Sequence, residues 1–369
     1  MFDFAIIGGG ASGIYASILL AKKGYSVALL EANDRIGKKL LATGNGKCNL
    51  SNVDIKAEFY NTNAVDEIVS NFDMQGEMLK LGLVTKVKNG RIYPYSEQSN
   101  NVLNVLLCNL QRYGVKILTN HNVQEINVDE NYTIITNNGQ IKCKRVCLAT
   151  GSIASFGMDS LGLYKKFGCV IKKNTPSLAP LIATKLESIK GLAGVRQEAK
   201  VSLYKGDNLI AFESGEVQFR KDGISGIVIM NMSAKMCWNN ISDAVCYLDF
   251  MPDYSYAQVE EFLQNNITAQ FGILNKNIMQ NASKYGVNGI KKYPISVKRS
   301  EDFKLAQVAS GGLDISQFDL KTMCLKTDKN LYAIGEALDV DGLCGGYNLH
   351  WAFASAYNFA KEFDYVAKA

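Results

Sequence analysis

The chain has 369 residues, which is too many for one ordinary compact core, so two or three modules are expected. Hydrophobic residues make up 47% of it and charged residues 20%, which are the proportions of a soluble globular protein. The 40 basic and 35 acidic residues leave a formal charge of +5 without a long lysine or arginine block, which is too weak and too dispersed to indicate a nucleic-acid partner.

The first ten residues, MFDFAIIGGG, indicate neither a secretory signal nor a membrane segment. An acid stands where a signal would carry positive charge, and the apolar run stops at glycines far short of a membrane span. A cytoplasmic protein with no membrane partner is therefore expected. The nine cysteines include no C-x-x-C pair and there are only two histidines, so we expect no structural zinc, no other bound metal and no disulfide framework.

Residues 2–31 predict a strand, a glycine turn, a helix and a second strand. FDFAII is a short apolar strand, GIYASILLAKKG has helical spacing, and YSVALLE is typical of a buried strand. Gly8, Gly10 and Gly13 occupy G-x-G-x-x-G positions, where glycines permit a tight turn, close approach of the backbone to a pyrophosphate, and close packing of helix on strand. The helix N-terminus adds N–H groups and a positive dipole end for phosphates.

Glu31 ends the second strand and is placed to accept hydrogen bonds from an adenosine ribose. An acid at this position would repel the 2′-phosphate of NADP. The glycine turn and Glu31 together predict a dinucleotide site for FAD or NAD.

The following segment, ANDRIGKKLLATGNGKCNLSN, keeps basic residues close to the expected nucleotide, although for Lys39 a solvated surface role is favoured. It is not a Walker loop, because no glycine stands five positions before Gly46, and Cys48 replaces the Ser or Thr that a magnesium ion needs. A lone cysteine is more often a packing residue than a redox thiol. The residues alone therefore leave the purpose of this loop open.

Later elements follow from alternation and spacing. Residues 120–151 alternate around an Asn-Gly turn and predict a β-ribbon, and VRQEAKVSLYKGDNLIAFESGEVQFRKDGISG predicts short strands with Gly-Asp and Ser-Gly turns, in a barrel or sandwich. AQVEEFLQNNITAQFGILNKNIMQNASKYG predicts helix, and YPISVKRSEDFKLAQVASGG returns to strands. NLYAIGEALD then predicts a buried strand, and HWAFASAYNFAKEF predicts an apolar helix opened by GGYNL.

Motifs along the whole chain resemble one family. GGGASG, EANDRIGK and TGNGKCNLSN match its early hallmarks, and the match continues through GRIYPYSEQS, CLATGS, GEVQFRKDGISG, SGGLDISQFDLKTM and NLYAIGEALDVDGLCGGYNLHWAFASAYNFA. These segments resemble the bacterial FAD-dependent oxidoreductases that include BaiN and aminoacetone oxidase. The resemblance implies an α/β fold with a Rossmann-like FAD-binding domain of the glutathione-reductase type, an inserted β-barrel module and a small helical insertion.

The predicted domains follow from this resemblance and from the strand and helix patterns. They are an FAD-binding domain of residues 1–176 and 313–369, a β-barrel insert of 177–252 and 291–312, and a small helical insert of 253–290. A flavin lying between such modules would leave its substrate pocket at their interface.

The resemblance also extends the predicted FAD-binding set beyond Gly8, Gly10, Gly13 and Glu31. The loop that begins at Gly44 becomes a cofactor cradle, the backbone near Val123 meets the adenine, and the GGYNL helix start faces the flavin pyrimidine edge. The added residues are Ala11, Ser12, Ala32, Arg35, Lys38, Gly44, Asn45, Gly46, Lys47, Cys48, Asn49, Val123, Ala149, Thr150, Gly151, Gly335, Glu336, Asp339, Gly345, Gly346, Tyr347 and Asn348.

Three features depart from the family pattern. His350 stands where a glutamine is more usual, and GSIASFGMDSLGLYKKFG is shorter than the corresponding family loop and lacks its proline. The helical insertion is also short. These departures bear on the substrate more than on the cofactor.

Several reactions remain open. The chain has no second G-x-G-x-x-G unit, so NADH or NADPH would dock transiently as an electron donor. One expectation is an NAD(P)H-dependent reductase acting on a small organic substrate such as an enone. The alternatives are an amine oxidase that produces hydrogen peroxide and a non-catalytic FAD-binding redox sensor. Tyr347, Cys48 and His350 are the catalytic candidates, with Tyr93 and Arg299 as further residues near the flavin; neither the substrate nor the oligomeric state follows from the sequence.

Overall fold

The computed structural model describes residues 1–154, 160–265 and 272–366. Part of the shortened loop after CLATGS and part of the predicted helical insertion therefore lie outside the described residues. The chain forms two compact units, one of Met1–Asn174 with Val308–Ala369 and one of Thr175–Gln307. The helices of the predicted insertion lie within the second unit.

The first unit is an α/β unit that contains the residues of the predicted site. Its strands up to residue 148 are β1 (Phe2–Ile7), β2 (Val27–Leu30), β3 (Ser51–Asn52), β4 (Thr85–Lys88), β5 (Arg91–Pro94), β6 (Lys116–Leu118), β7 (Val123–Val128), β8 (Tyr132–Thr136) and β9 (Gly139–Leu148). Its helices in the same stretch are α1 (Ala11–Lys22), α2 (Lys38–Ala42), α3 (Asp66–Ser70), α4 (Met74–Lys80) and α5 (Ser99–Arg112).

The chain crosses to the second unit and returns through β10 (Ile171–Ser177) and β17 (Val308–Leu313), which pair with each other. The returning segment adds β18 (Phe318–Asp319), β19 (Cys324–Leu325), β20 (Asp328–Ala333) and a long helix, α10 (Tyr347–Lys361). These late elements complete the first unit.

The main sheet has the strand order β18-β19-β20-β9-β1-β2-β6, with the β7–β8 pair attached through β9. β1 lies parallel to both neighbours, since Ala5 pairs with Ala28 of β2 and with Val146 of β9. Ala5 is fully buried, as expected where a parallel sheet is covered on both faces. The carboxyl ends of β1, β9 and β20 therefore meet at one edge, where such sheets bind ligands.

A smaller antiparallel sheet, in the order β3-β5-β4, follows the TGNGKCNLSN loop directly. Ser51 of β3 pairs with Ile92 of β5, and both side chains are buried. The backbone of the loop joins the same sheet, because the N–H of Leu50 donates to the carbonyl of Ile92 at 2.8 Å. This sheet therefore fixes one end of the predicted cradle.

The second unit is built on a closed barrel with the strand order β11-β14-β13-β12-β15-β16. The strands are β11 (Leu181–Ala183), β12 (Arg196–Lys205), β13 (Asn208–Phe219), β14 (Gly223–Ser225), β15 (Asp243–Asp249) and β16 (Tyr293–Arg299). The helices are α6 (Ile227–Trp238), α7 (Tyr256–Asn265), α8 (Lys276–Ala282) and α9 (Asn288–Lys291). Of the two predicted alternatives, barrel and sandwich, the structure forms the barrel.

One expectation for this unit needs correction, and one helix was not predicted. The predicted Ser-Gly turn does not form, because β13 continues through Ser214 and Gly215, which pair with Lys200 and Ala199 of β12. Gly215 faces helix α6, and a Cβ there would lie 3.7 Å from Val228, which is an ordinary van der Waals distance. Helix α6 is absent from the predicted elements because its apolar residues lie on most of its faces and give no clear helical spacing.

Within the described residues, no helix combines the length and the apolar character that crossing a membrane requires.

Candidate functional site

The glycine turn after β1 contains two kinds of glycine. Gly8 has φ +116°, and a Cβ there would lie 2.2 Å from the carbonyl oxygen of Ala149; a Cβ on Gly13 would lie 2.0 Å from the carbonyl oxygen of Gly8. Both glycines are therefore required for packing. Gly10 differs, because a Cβ on it would meet no atom within 4 Å. The space beside Gly10 is open and adjoins the backbone, as a bound pyrophosphate would need.

Helix α1 begins directly after Gly10 and points its N-terminus at this space. No side chain caps it, and its first turn contains no acid. Its first N–H groups and its positive dipole end are therefore available to an anion. This arrangement fits a dinucleotide pyrophosphate.

Glu31 is held firmly at the end of β2. One carboxylate oxygen accepts the N–H of Gly9 at 2.9 Å, and the other accepts the N–H of Asn33 at 2.8 Å. The N–H of His121 donates to the backbone carbonyl of Glu31 at 2.9 Å, which brings the segment leading to Val123 beside this carboxylate. The carboxylate oxygens keep lone pairs that can accept ribose hydroxyls.

The loop TGNGKCNLSN has an unusual backbone. Gly44, Asn45, Gly46 and Cys48 all have positive φ, between +53° and +81°. Such a run costs conformational energy for the two residues that are not glycine, and it is typical of ligand-binding loops. The side-chain oxygen of Asn49 is buried and has no hydrogen-bond partner among the described residues, so it is an acceptor that a bound group would satisfy. The loop thus fits the predicted role of a cofactor cradle.

Cys48 is poorly suited to redox chemistry. It is fully buried, and burial raises the pKa of its thiol to about 11, against a smaller lowering by a hydrogen bond with Thr43. A protonated thiol is a weak nucleophile. The geometry therefore favours a packing role for this catalytic candidate.

Gly335 and Glu336 follow β20 and reach the start of α1. A Cβ on Gly335 would lie 2.6 Å from the Ser12 hydroxyl oxygen, which places these two residues in direct contact. The Glu336 carboxylate accepts hydrogen bonds from Ser152 at 2.8 Å and from Lys39 at 2.6 Å. The expectation that Lys39 is a solvated surface residue is therefore wrong, since its ammonium group is paired with a largely buried acid.

Asp339 is a buried carboxylate that joins three segments. It accepts the N–H of Gly311 at 2.9 Å and the side-chain amide of Asn61 at 3.0 Å, and it pairs with Lys172 at 2.9 Å. Protein groups thus occupy both of its oxygens. A contact between Asp339 and FAD stays a prediction.

The start of α10 packs against the end of the cradle segment. A Cβ on Gly346 would lie 2.5 Å from the carbonyl oxygen of Ser51, and the Asn52 side-chain amide donates to the carbonyl of Gly345 at 3.1 Å. The Tyr347 ring is buried with its centroid 4.8 Å from that of Phe59. The N-cap residue of α10 is Gly346, which has no side chain to cap the helix, and the positive end of the helix dipole lies here.

His350 lies one turn further along α10 and is 2% exposed. Its Nδ1 accepts the Ser51 hydroxyl at 2.6 Å, and its Nε2–H donates to the carbonyl of Val69 at 2.9 Å, because a carbonyl can only accept. Burial lowers the pKa of His350 to about 4, so the ring is neutral at physiological pH. With both nitrogens engaged, His350 is a positioning residue for β3.

The structure adds residues that the sequence analysis did not assign to the site, namely Lys39, Asn52, Ser152 and Asn61. Asn52 and Ser152 are the last letters of the TGNGKCNLSN and CLATGS motifs, so the motif boundaries offered a signal for them. Asn61 offered none. Arg299 belongs to the second unit, where its guanidinium contacts the Cys237 sulfur at 3.5 Å.

Comparison with known proteins decides the family. Residues 2–362 match the model described as the HI0933-like protein Rossmann domain. The 3-dehydro-bile acid delta(4,6)-reductase of Clostridium scindens is 34% identical over 402 aligned positions, which cover 97% of this chain and 98% of the relative. The chain belongs to the HI0933-like family.

Two more distant relatives are named ribosomal RNA dihydrouridine synthases. The enzyme of Haemophilus influenzae is 25% identical over 95% of this chain and 96% of its own, and that of Escherichia coli K12 is 24% identical over 98% of each. The family resemblance found in the motifs is confirmed, as is the Rossmann-type α/β fold with a barrel. The relative from Clostridium scindens is named as a reductase, which is one of the reaction classes expected from the motifs.

Proposed function

We propose that this HI0933-like protein holds FAD and reduces a carbon–carbon double bond conjugated with a carbonyl group in a small organic molecule, using electrons from NADH or NADPH. The observation that carries the proposal is the full-length match to a 3-dehydro-bile acid delta(4,6)-reductase. A delta(4,6) bond system next to a 3-oxo group is an extended enone, and its far carbon is an electrophile that accepts hydride.

The first unit offers a continuous set of groups for FAD. The N-terminus of α1 and the open side of Gly10 suit the pyrophosphate, and Glu31 suits the adenosine ribose. The left-handed loop around Asn45 and the buried oxygen of Asn49 suit the flavin half. When bound, FAD supplies two-electron transfer chemistry.

The chain's own contribution at the flavin end is electrostatic. The N-terminus of α10 directs its positive dipole end toward that region, which would stabilise negative charge gained on reduction. The bond between Asn52 and Gly345 keeps this helix start in place against β3. Ser51 and His350 hold the same strand from its buried side. These residues position the site, and proton delivery by Tyr347 stays a prediction.

A second candidate substrate is uridine in RNA. The two relatives named ribosomal RNA dihydrouridine synthases support it. The 5,6 bond of uridine is also conjugated with a carbonyl, so the same hydride acceptor chemistry applies. We rank it second because the identity to these relatives is lower than that to the bile-acid reductase.

The test is an anaerobic experiment with FAD-reconstituted protein. NADH or NADPH is added while the visible flavin absorbance is followed, and then a steroid 4-en-3-one or a uridine-containing RNA is supplied. We expect bleaching by a nicotinamide nucleotide, recovery of the absorbance with the enone, and a product that has gained two hydrogens by mass spectrometry.

Two results would contradict the proposal. Recovery only with oxygen, giving peroxide, would assign the protein to the oxidases. Failure of reconstituted protein to retain FAD would remove the cofactor assignment. The Gly10→Val variant is the matched control, because any turnover that survives in it does not depend on the glycine turn.

A further inference from the structure

The small β3-β5-β4 sheet presents a basic face to solvent. Lys86 pairs with Tyr93, and Lys88 pairs with Arg91, which also pairs with Asn52. Directly paired residues of antiparallel strands project to the same side of a sheet. These five residues therefore share one side, here called the basic face. On the other side Ser51, Ile92 and Pro94 are buried, and Val87 is exposed.

The positive charge of the basic face is only partly compensated. Glu97 contacts Lys86 at 2.8 Å, Lys88 at 3.3 Å and Lys47 at 3.4 Å, so one carboxylate faces three ammonium groups. Within the part of the chain that the structure describes, Arg91 has no carboxylate within ion-pair distance. Arg91 and Lys88 also stand directly opposite each other, which is an unfavourable pairing of like charges that a bound anion would relieve.

The basic face adjoins the flavin end of the proposed site. At its inner edge Asn52 donates to the carbonyl of Gly345, at the start of α10. Lys47 belongs to the cradle loop itself and shares Glu97 with the two lysines of β4. An anion on this face is therefore held within the same unit and next to the same helix start as the predicted flavin end.

The dimensions of the face indicate the ligand. Three strands span about 10 Å, because neighbouring strands lie about 4.8 Å apart. That width suits the few phosphates of one dinucleotide, whereas RNA binding usually spreads cations over several nucleotides. Tyr93, half-buried among the cations, offers an aromatic ring on which a base can stack.

We propose that the basic face binds the phosphate groups of the nicotinamide nucleotide that donates electrons to this enzyme. This inference rests on the proposed function, for which it names the donor's docking site. Lys88 and Arg91 contact the phosphates directly, and Glu97 limits the affinity by competing for the lysines.

The experiment is calorimetric titration of FAD-loaded protein with NADP⁺ and NAD⁺, which bind without reducing the flavin. We expect Lys88→Gln and Arg91→Gln each to weaken binding about ten-fold, as loss of a charged hydrogen bond does, and the double variant to weaken it further. Glu97→Gln should tighten binding, which a merely structural role would not produce. Bound flavin and thermal stability are measured for every variant.

Lys144→Gln is the matched control. Lys144 is an exposed lysine paired with Asp3 at 2.9 Å, near the amino end of β1 and thus away from the edge that holds the glycine turn. Its variant should bind both nucleotides as the wild type does.

Three outcomes would overturn the inference. The first is unchanged affinity in the Lys88 and Arg91 variants, and the second is wild-type protein that binds neither nucleotide. The third is that the Lys88 and Arg91 substitutions weaken only the binding of a fluorescent uridine-rich oligonucleotide, which would assign the face to RNA. Enone reduction driven by dithionite needs no nicotinamide, so it tests the proposed function separately.

Discussion

At the scale of single residues, Gly10 and Gly13 stand in one turn but have different surroundings. A side chain on Gly10 enters open space, whereas one on Gly13 would collide with the Gly8 carbonyl. We therefore expect Gly10→Val to lose FAD while keeping nearly wild-type thermal stability, because valine fills the pyrophosphate space. Gly13→Val should lose stability as well. Flavin absorbance per protein and the melting temperature without cofactor measure the two effects.

Gly10→Ala gives the graded control for this prediction, since one methyl group fills less of the same space. It should retain more FAD than the valine variant. Stoichiometric FAD in Gly10→Val would show that this turn does not hold the pyrophosphate.

His350 gives the protein a pH-dependent stability. Its pKa is about 4 in the folded chain and 6.5 when exposed, so the unfolded chain binds the extra proton first as the pH falls. The stabilisation is fully present above pH 6.5 and is lost as the pH drops toward 4. Between pH 7.5 and pH 5 we expect a loss of about 2 kcal/mol in the free energy of unfolding from this residue alone.

Urea unfolding of wild-type protein and of His350→Gln at both pH values measures that loss. Glutamine can also accept from Ser51 and donate to Val69, but it does not titrate. The variant should therefore lose less stability on acidification. Equal losses in both proteins would show that His350 does not titrate on unfolding.

The sequence alone predicted some of the residues of the candidate site and not others. Gly8, Gly10, Gly13 and Glu31 follow from a local pattern in which spacing fixes geometry, so they needed no tertiary information. The Asn61 side-chain amide donates to the Asp339 carboxylate, although the two residues are 278 positions apart in the sequence, so no local pattern could predict their contact. The pairing of Lys39 with Glu336 joins residues almost three hundred positions apart, and only the folded chain brings them together.

At the scale of elements, the C-terminal end of α10 is capped by the side chain of the residue that follows helix α1. The Lys23 ammonium, just after α1, donates to the carbonyls of Ala360 at 2.9 Å, Lys361 at 3.3 Å and Phe363. A cation at a helix C-terminus is favourable through both the hydrogen bonds and the dipole. Lys23→Met should therefore destabilise the protein by about 1 kcal/mol in urea unfolding.

Lys22→Met is the control for this prediction, because Lys22 is the exposed neighbour and makes no such contact among the described residues. Its effect should stay within about 0.5 kcal/mol. Equal destabilisation by the two substitutions would argue that general charge, and not the cap, matters.

Elements with a clear period were predictable, and elements without one were not. The hairpin of β8 and β9 alternates around an Asn-Gly turn and forms where predicted. The turn predicted at Gly215 is wrong because glycine in a strand and glycine in a loop look alike in sequence; the pairing of Gly215 with Ala199 of β12 shows that it belongs to a strand. Helix α6 was missed for a related reason, since burial on most of its faces removes the amphipathic signal.

At the scale of the whole molecule, the second unit is one continuous segment, Thr175–Gln307, with its own apolar core and closed barrel. We expect this segment to fold when expressed alone, because a closed barrel leaves no open sheet edge and the core is supplied from within the segment. Circular dichroism and urea unfolding should show a β-rich, cooperative protein that binds no flavin. A disordered spectrum would contradict the prediction.

The first unit is discontinuous, and this has a consequence for synthesis. β20 pairs with β9, and Gly335 lies against Ser12, so the sheet edge that is expected to meet the cofactor includes residues made after the barrel segment. The barrel segment is complete on the ribosome before those residues emerge, since chains are made from the N-terminus at about 5–20 residues per second. The edge that meets the glycine turn is therefore completed only after the barrel segment has been synthesised, and we expect FAD binding to follow that step.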